Sequence, residues 1–125
     1  MNANEKKLEK WEKKLVKAGL LTMGEHIIDV IAGDYHKRSR QIRGHIVFTN
    51  NKLIFCGRFM GYIVPIEYYN VQSIHTCLIG PFPLGLRVTA LDSNTNAYNH
   101  HILALFHRNH WKEFIESKRA SYRYR

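Results

Sequence analysis

From Gly24 to Leu105 the chain reads as a succession of short β-type segments separated by turn residues, and this pattern most constrains the fold. Residues 25–35 mix apolar and polar positions without a helical stripe and stop at Gly33-Asp34. Segments 43–49 (RGHIVFT) and 52–58 (KLIFCGR) flank Asn50-Asn51, and asparagine tolerates the left-handed angles of a two-residue hairpin turn. A strand over 62–67 carries Pro65, which suits an edge or a bulge. Segment 71–78 (VQSIHTCL) follows, with alternation placing Val71, Ser73, His75 and Cys77 on one face. Gly80-Pro81-Phe82-Pro83 reads as a loop, 84–91 as a strand, 92–96 as a turn and 97–105 as a last strand. Six or seven strands at roughly 8–12-residue spacing predict an antiparallel barrel or sandwich.

Two helical segments bracket these strands. Leu8, Trp11, Leu15 and Ala18 recur at three- and four-residue steps over 4–18, one face of a helix, and six lysines cover the rest. Gly19 suits its C-terminal end. At the other end Trp111, Phe114, Ile115 and Lys118 share a helical face after Asn109, an expected N-cap, and the segment from Ser121 on has no periodicity and is expected to fray. The division is an amphipathic basic helix over 1–20, a domain over 22–118 and a basic tail over 119–125. With 125 residues, one core needs no disulfide or metal staple. Cys56 and Cys77 lie in apolar strand segments outside any Cys-x-x-Cys motif, so buried free thiols are expected.

The order strand, hairpin, four more strands and closing helix resembles the pleckstrin-homology (PH) superfold. Arg43-Gly44-His45-Ile46-Val47-Phe48-Thr49-Asn50-Asn51-Lys52-Leu53-Ile54-Phe55 is similar to a signature of bacterial PH-like and GRAM-like domains. Glu67 to Ile74 resembles the segment that follows two strands later, and Gly24-Glu25 resembles the pair that opens the first strand. The likeness is nearest to the YokE-like bacterial PH domains and covers about residues 22–118. It implies a PH-like antiparallel β-barrel of about seven strands capped by the C-terminal helix, with the N-terminal helix as an addition.

The formal charge of +9 favours polyanionic partners. Six of the cations lie in residues 1–20, six in 107–125, and four of the remaining seven are Lys37, Arg38, Arg40 and Arg43. In PH domains that bind inositol phosphates, a lysine of the first strand and a Lys/Arg-x-Arg motif supply the phosphate ligands. Arg38-x-Arg40 matches the second half, whereas residues 25–33 hold no Lys or Arg. Lys37, Arg38, Arg40 and Arg43 are therefore the candidate ligand-binding residues. A lysine-rich helix with a Trp11–Leu15 stripe would either pack on its own barrel or present Trp11 to a partner chain, a second copy or a membrane surface.

Other chemistry finds less support. His100 and His101 are adjacent on a strand and point to opposite faces, and no Cys or carboxylate cluster completes a metal set with His107 and His110. Glu25, Asp29, Asp34, Glu67 and Asp92 are scattered singly, and no nucleophile or phosphate-loop motif is present. No catalytic residue, metal or cofactor is expected. Tyr122-Arg123-Tyr124-Arg125 interleaves aromatics with arginine and keeps nucleic acid as a less favoured partner. With no leader-like start and no apolar run near the ~20 residues of a spanning helix, the expected setting is cytoplasmic, with peripheral contact to the inner membrane leaflet. The expected role is a non-catalytic module contacting a protein partner or that anionic surface. Binding of a phospholipid head group or nucleic acid through loop 37–43 is the alternative.

Overall fold

The computed structural model describes residues 2–123. Helix α1 spans Ala3–Lys17. Strands β1 (Ile27–Lys37), β2 (Arg40–Thr49), β3 (Lys52–Gly57), β4 (Ile63–Glu67), β5 (Val71–Ile79), β6 (Phe82–Asp92) and β7 (Ala97–Ala104) follow, and helix α2 (Arg108–Arg123) closes the chain. All strand pairs are antiparallel, in the order β4-β3-β2-β1-β7-β6-β5. The expected seven-stranded PH-like barrel with a helix at each terminus is the observed architecture.

The sheet bends where glycines stand in register. Gly33 pairs with Gly44, and Gly44 with Gly57. A Cβ on Gly44 would lie 2.1 Å from the Cys56 carbonyl oxygen, so only glycine allows β2 and β3 to approach this closely. Beyond the bend, β1 pairs with β7 at Asp34–His36 and carries the chain into the second half of the sheet.

The concave side of the bent sheet holds the main core. Ile46, Phe48, Leu53, Phe55, Leu86, Val88 and Leu103 are fully buried there. Helix α2 fills the end of this space. Trp111 stacks on Phe48 with ring centroids 3.9 Å apart, and Ile115 is fully buried beside them. Tyr68 lies in the link from β4 to β5, and its hydroxyl donates to the Thr49 carbonyl at 2.9 Å. That bond ties the link to the β2–β3 hairpin.

The convex side carries a second, smaller core under α1. Leu15 packs with Ile27, Val30, Val47, Ile54 and Cys56, and Leu8 and Trp11 flank the cluster. Asn2 Oδ1 caps the helix by accepting from Glu5 N–H at 2.8 Å. At the other end Leu20 N–H bonds Leu15 carbonyl and Gly19 N–H bonds Val16 carbonyl, with Gly19 at φ 74. This is the paired C-terminal closure that a left-handed glycine permits. The Trp11–Leu15 stripe thus packs on the protein's own sheet, one of the placements the sequence left open, with Leu15 buried and Trp11 half-buried.

Three local readings of the sequence also change. Register shifts in β5 between Val71 and Ser73 reset the alternation, so Val71 and Ile74 are the buried pair and His75 is exposed. Helix α2 begins at Arg108, which places Asn109 inside the first turn rather than at the N-cap. The segment expected to fray is helical from Ser121 through Arg123, while Tyr124 and Arg125 lie outside the described residues. Pro65 sits on β4 at one edge of the sheet, as its missing N–H requires.

Candidate ligand-binding site

The turn between β1 and β2 and the connection between β3 and β4 lie at the same open end of the barrel. Lys37, Arg38 and Arg40 line a hollow of about 530 Å³ there, together with Gly61 and Tyr62. Arg38 takes φ 58, the left-handed turn residue that closes the hairpin. Lys37 Nζ stands 5.6 Å from the centroid of the Tyr62 ring. Tyr62 is anchored from behind by Phe55 and Tyr35, at ring distances of 6.4 and 5.7 Å. No ion pair among the described residues engages Lys37, Arg38 or Arg40.

Tyr35 is the floor support of this end. Its hydroxyl is 2.7 Å from His101 Nδ1. Burial pushes the Tyr35 phenol up to about 12. Burial, and then the neighbouring His100, hold the His101 imidazole below its ordinary value. At neutral pH a protonated phenol therefore shares a hydrogen bond with a neutral ring. His100 faces the other way and bonds Thr89 Oγ1 at 2.8 Å, as strand alternation requires. No group of three metal-ligating side chains occurs among the described residues.

Arg43 does not join the other three. It lines a separate hollow of about 620 Å³ on the convex side, against Trp11 and Lys14 of α1 and Arg58 and Met60 of the β3–β4 connection. Parity along β2 explains the separation. Ile42 packs toward the main core, so Arg43 points the opposite way, while Arg40 lies at the loop end. Arg38 and Arg40 are brought together by the turn, and Arg43 is removed by the pleat.

The β3–β4 connection runs between the two hollows. Phe59 on it is fully exposed, and Phe59 and Met60 take φ 57 and 58. Two consecutive non-glycine residues in the left-handed region are uncommon, and such strain concentrates where a loop is shaped for contact.

A buried polar cluster missed at the sequence level pins the opposite end. Glu25 Oε1 is 2.8 Å from Lys52 Nζ and accepts the Thr22 N–H at 2.9 Å, while Glu25 Oε2 accepts the Thr49 hydroxyl at 2.5 Å. Burial raises the Glu25 carboxyl, but hydrogen bonds from Lys52, Thr49 and the Thr22 N–H outweigh it, and its pKa lies below the ordinary value. The Gly24-Glu25 pair and the Thr49-Asn-Asn-Lys52 motif are thus halves of one interaction. The two cysteines are free. Cys56 is buried, with its thiol raised by burial to about 11, and Cys77 is half-buried.

No protein-family model matches the chain, and no curated protein matches it. Solved structures do. The C-terminal domain of an unknown protein from Leishmania infantum superposes with a TM-score of 0.69 at 17% identity, over 90% of this chain and 96% of that one. The PDZ-RhoGEF DH/PH domains, solved in complex with GTP-gamma-S activated RhoA, match with a TM-score of 0.69 at 10% identity, over 94% of this chain and 40% of that one. The fold is PH-like. The hSac2 domain of the human phosphoinositide phosphatase Sac2 matches with a TM-score of 0.58 at 13% identity, over 97% of this chain and 85% of that one. At these identities the likeness carries architecture, and function rests on the site of this PH-like domain itself. No helix among the described residues is long and apolar enough to cross a membrane.

Proposed function

We propose that this PH-like domain is a non-catalytic binding module that docks on an anionic membrane surface through the open end of its barrel. The observation that carries the reading is the convergence of Lys37, Arg38 and Arg40 on one hollow, with no ion pair among the described residues to occupy them. Arginine's planar fork suits phosphate oxygens, and lysine adds a point charge. Phe59, fully exposed beside this end, supplies the aromatic that interfacial contacts favour. The β2–β3 and β4–β5 motifs support a place among bacterial PH-like, GRAM-like or YokE-like domains, and with it a cytoplasmic, peripheral-membrane setting.

Sedimentation with phosphatidylserine vesicles at low and moderate salt tests the reading. Binding that weakens with salt and is lost in Arg38→Glu/Arg40→Glu is the expected result. An absence of pelleting at low salt refutes it. A protein partner is the second reading, favoured by a hollow in which exposed Tyr69 and Tyr98 stand beside Arg119 and Tyr122, since tyrosine and arginine are enriched at interfaces. Equal binding of duplex DNA by wild type and the loop variant would place any nucleic-acid contact elsewhere.

A further inference from the structure

The convex hollow has its own chemistry. Its volume of about 620 Å³ falls within the range of small-molecule sites. Arg43 of β2 and Arg58, the first residue after β3, flank the Gly44–Gly57 register pair and line the same space. Lys14 descends from α1 into this space and lies over the Trp11 ring, 4.4 Å from its centroid. None of the three cations makes an ion pair among the described residues. The carboxylate in the hollow, Asp34, is the register partner of Arg43, yet it accepts a hydrogen bond from Gln41. Three cations against one engaged carboxylate leave the hollow positive. His45 lies under Trp11, with ring centroids 5.1 Å apart. Burial holds its imidazole below the ordinary value, and Lys14 and Lys7 add to the effect in the same direction.

We propose that this hollow is a second anion site, for a ligand bearing two or more phosphate groups, held by Arg43 of β2, Arg58 of the β3–β4 connection and Lys14 of α1. The helix appended to the barrel makes the site: it supplies Lys14 and, in Trp11, one wall. The site is separate from the loop hollow of Lys37, Arg38 and Arg40 and stands whether or not that loop docks on a membrane.

Trp11 provides the signal for a test. Trp111 is buried against Phe48, so a ligand-dependent change in tryptophan emission reports Trp11. Inorganic tripolyphosphate is titrated into the full chain at constant ionic strength. The expected result is a saturable emission change whose apparent affinity weakens about tenfold or more in Arg43→Gln/Arg58→Gln, given the strength of charge-assisted hydrogen bonds. Arg38→Gln/Arg40→Gln is expected to shift it by less than about twofold. Lys14→Gln, which keeps Trp11 and the helix, is expected to weaken binding in the same direction. No saturable change in the wild type overturns the proposal, and so does a loss caused by the loop variant while the convex-side variant binds normally. Phosphatidylinositol bisphosphate in phosphatidylcholine vesicles separates the two sources of such a ligand. An emission change with vesicles that tripolyphosphate competes away assigns a lipid head group. A change with tripolyphosphate that vesicles do not produce assigns a soluble polyphosphate.

Discussion

Replacing Glu25 by glutamine removes the charge that neutralises Lys52 and leaves one amide oxygen where two carboxylate oxygens accept, Oε1 from the Thr22 N–H and Oε2 from the Thr49 hydroxyl. The Glu25 side chain is fully shielded and that of Lys52 is 10% exposed. Breaking a buried pair from one side costs about 3–5 kcal/mol, because the remaining charge stays desolvated. The small exposure of Lys52 puts the expected loss at the lower end, about 3 kcal/mol. Domains of this size have about 5–15 kcal/mol in hand, so the variant folds but weakly. With a urea dependence of about 2 kcal/mol per molar, the midpoint falls by about 1.5 M, read through Trp111 fluorescence. Lys52→Met is expected to be milder, since Glu25 can take up a proton, and the double variant should recover part of the loss. The sign of the pH effect follows from the depressed Glu25 pKa. Its contribution is complete above the ordinary carboxyl value of 4.5 and is lost as pH falls through the lower folded value. Wild type therefore sheds stability in that acidic window, and Glu25→Gln has a flatter profile there. Single losses below about 1 kcal/mol, with a coupling below about 0.5, would mean the pair behaves as a solvated surface contact, and the reasoning would be wrong.

Leu15→Ala empties the centre of the cluster under α1 and is expected to cost about 2–5 kcal/mol, with trypsin cutting faster at the lysines of α1 than in wild type. Gly44→Ala must push β2 from β3, since the added carbon would meet the Cys56 carbonyl, and a melting experiment should show a loss of about 1–3 kcal/mol. Phe59→Ser should leave the melting curve unchanged and weaken phosphatidylserine-vesicle binding several-fold, by about 1 kcal/mol; unchanged binding would remove Phe59 from the docking face.

What the sequence disclosed was local. The Thr49-Asn50-Asn51-Lys52 turn and the alternation of Leu53 and Phe55 mark a hairpin and the face it turns to the main core, because the signal lies within a few residues. The β5 face was hidden because one unpaired residue near Gln72 resets a period-two pattern without any glycine or proline to announce it. The Glu25–Lys52 contact joins residues 27 apart, and no pairing rule links them before the sheet exists. The grouping of Arg43 with Arg38 and Arg40 was avoidable. Arg40 and Arg43 are three apart on one strand, and an odd spacing sends side chains to opposite faces. The partition of the cations into two sites was therefore written in the parity of the sequence, whereas the helix that completes the second site had to be seen docked.

The sheet is open, and its ends are β4 and β5. Pro65 offers no N–H along the first edge, and the register shifts of β5 break the ladder along the second. An incoming strand meets no continuous row of donors and acceptors on either side. Copies of this chain at high concentration are thus guarded against adding to one another edge by edge, the route by which exposed strands seed insoluble fibres.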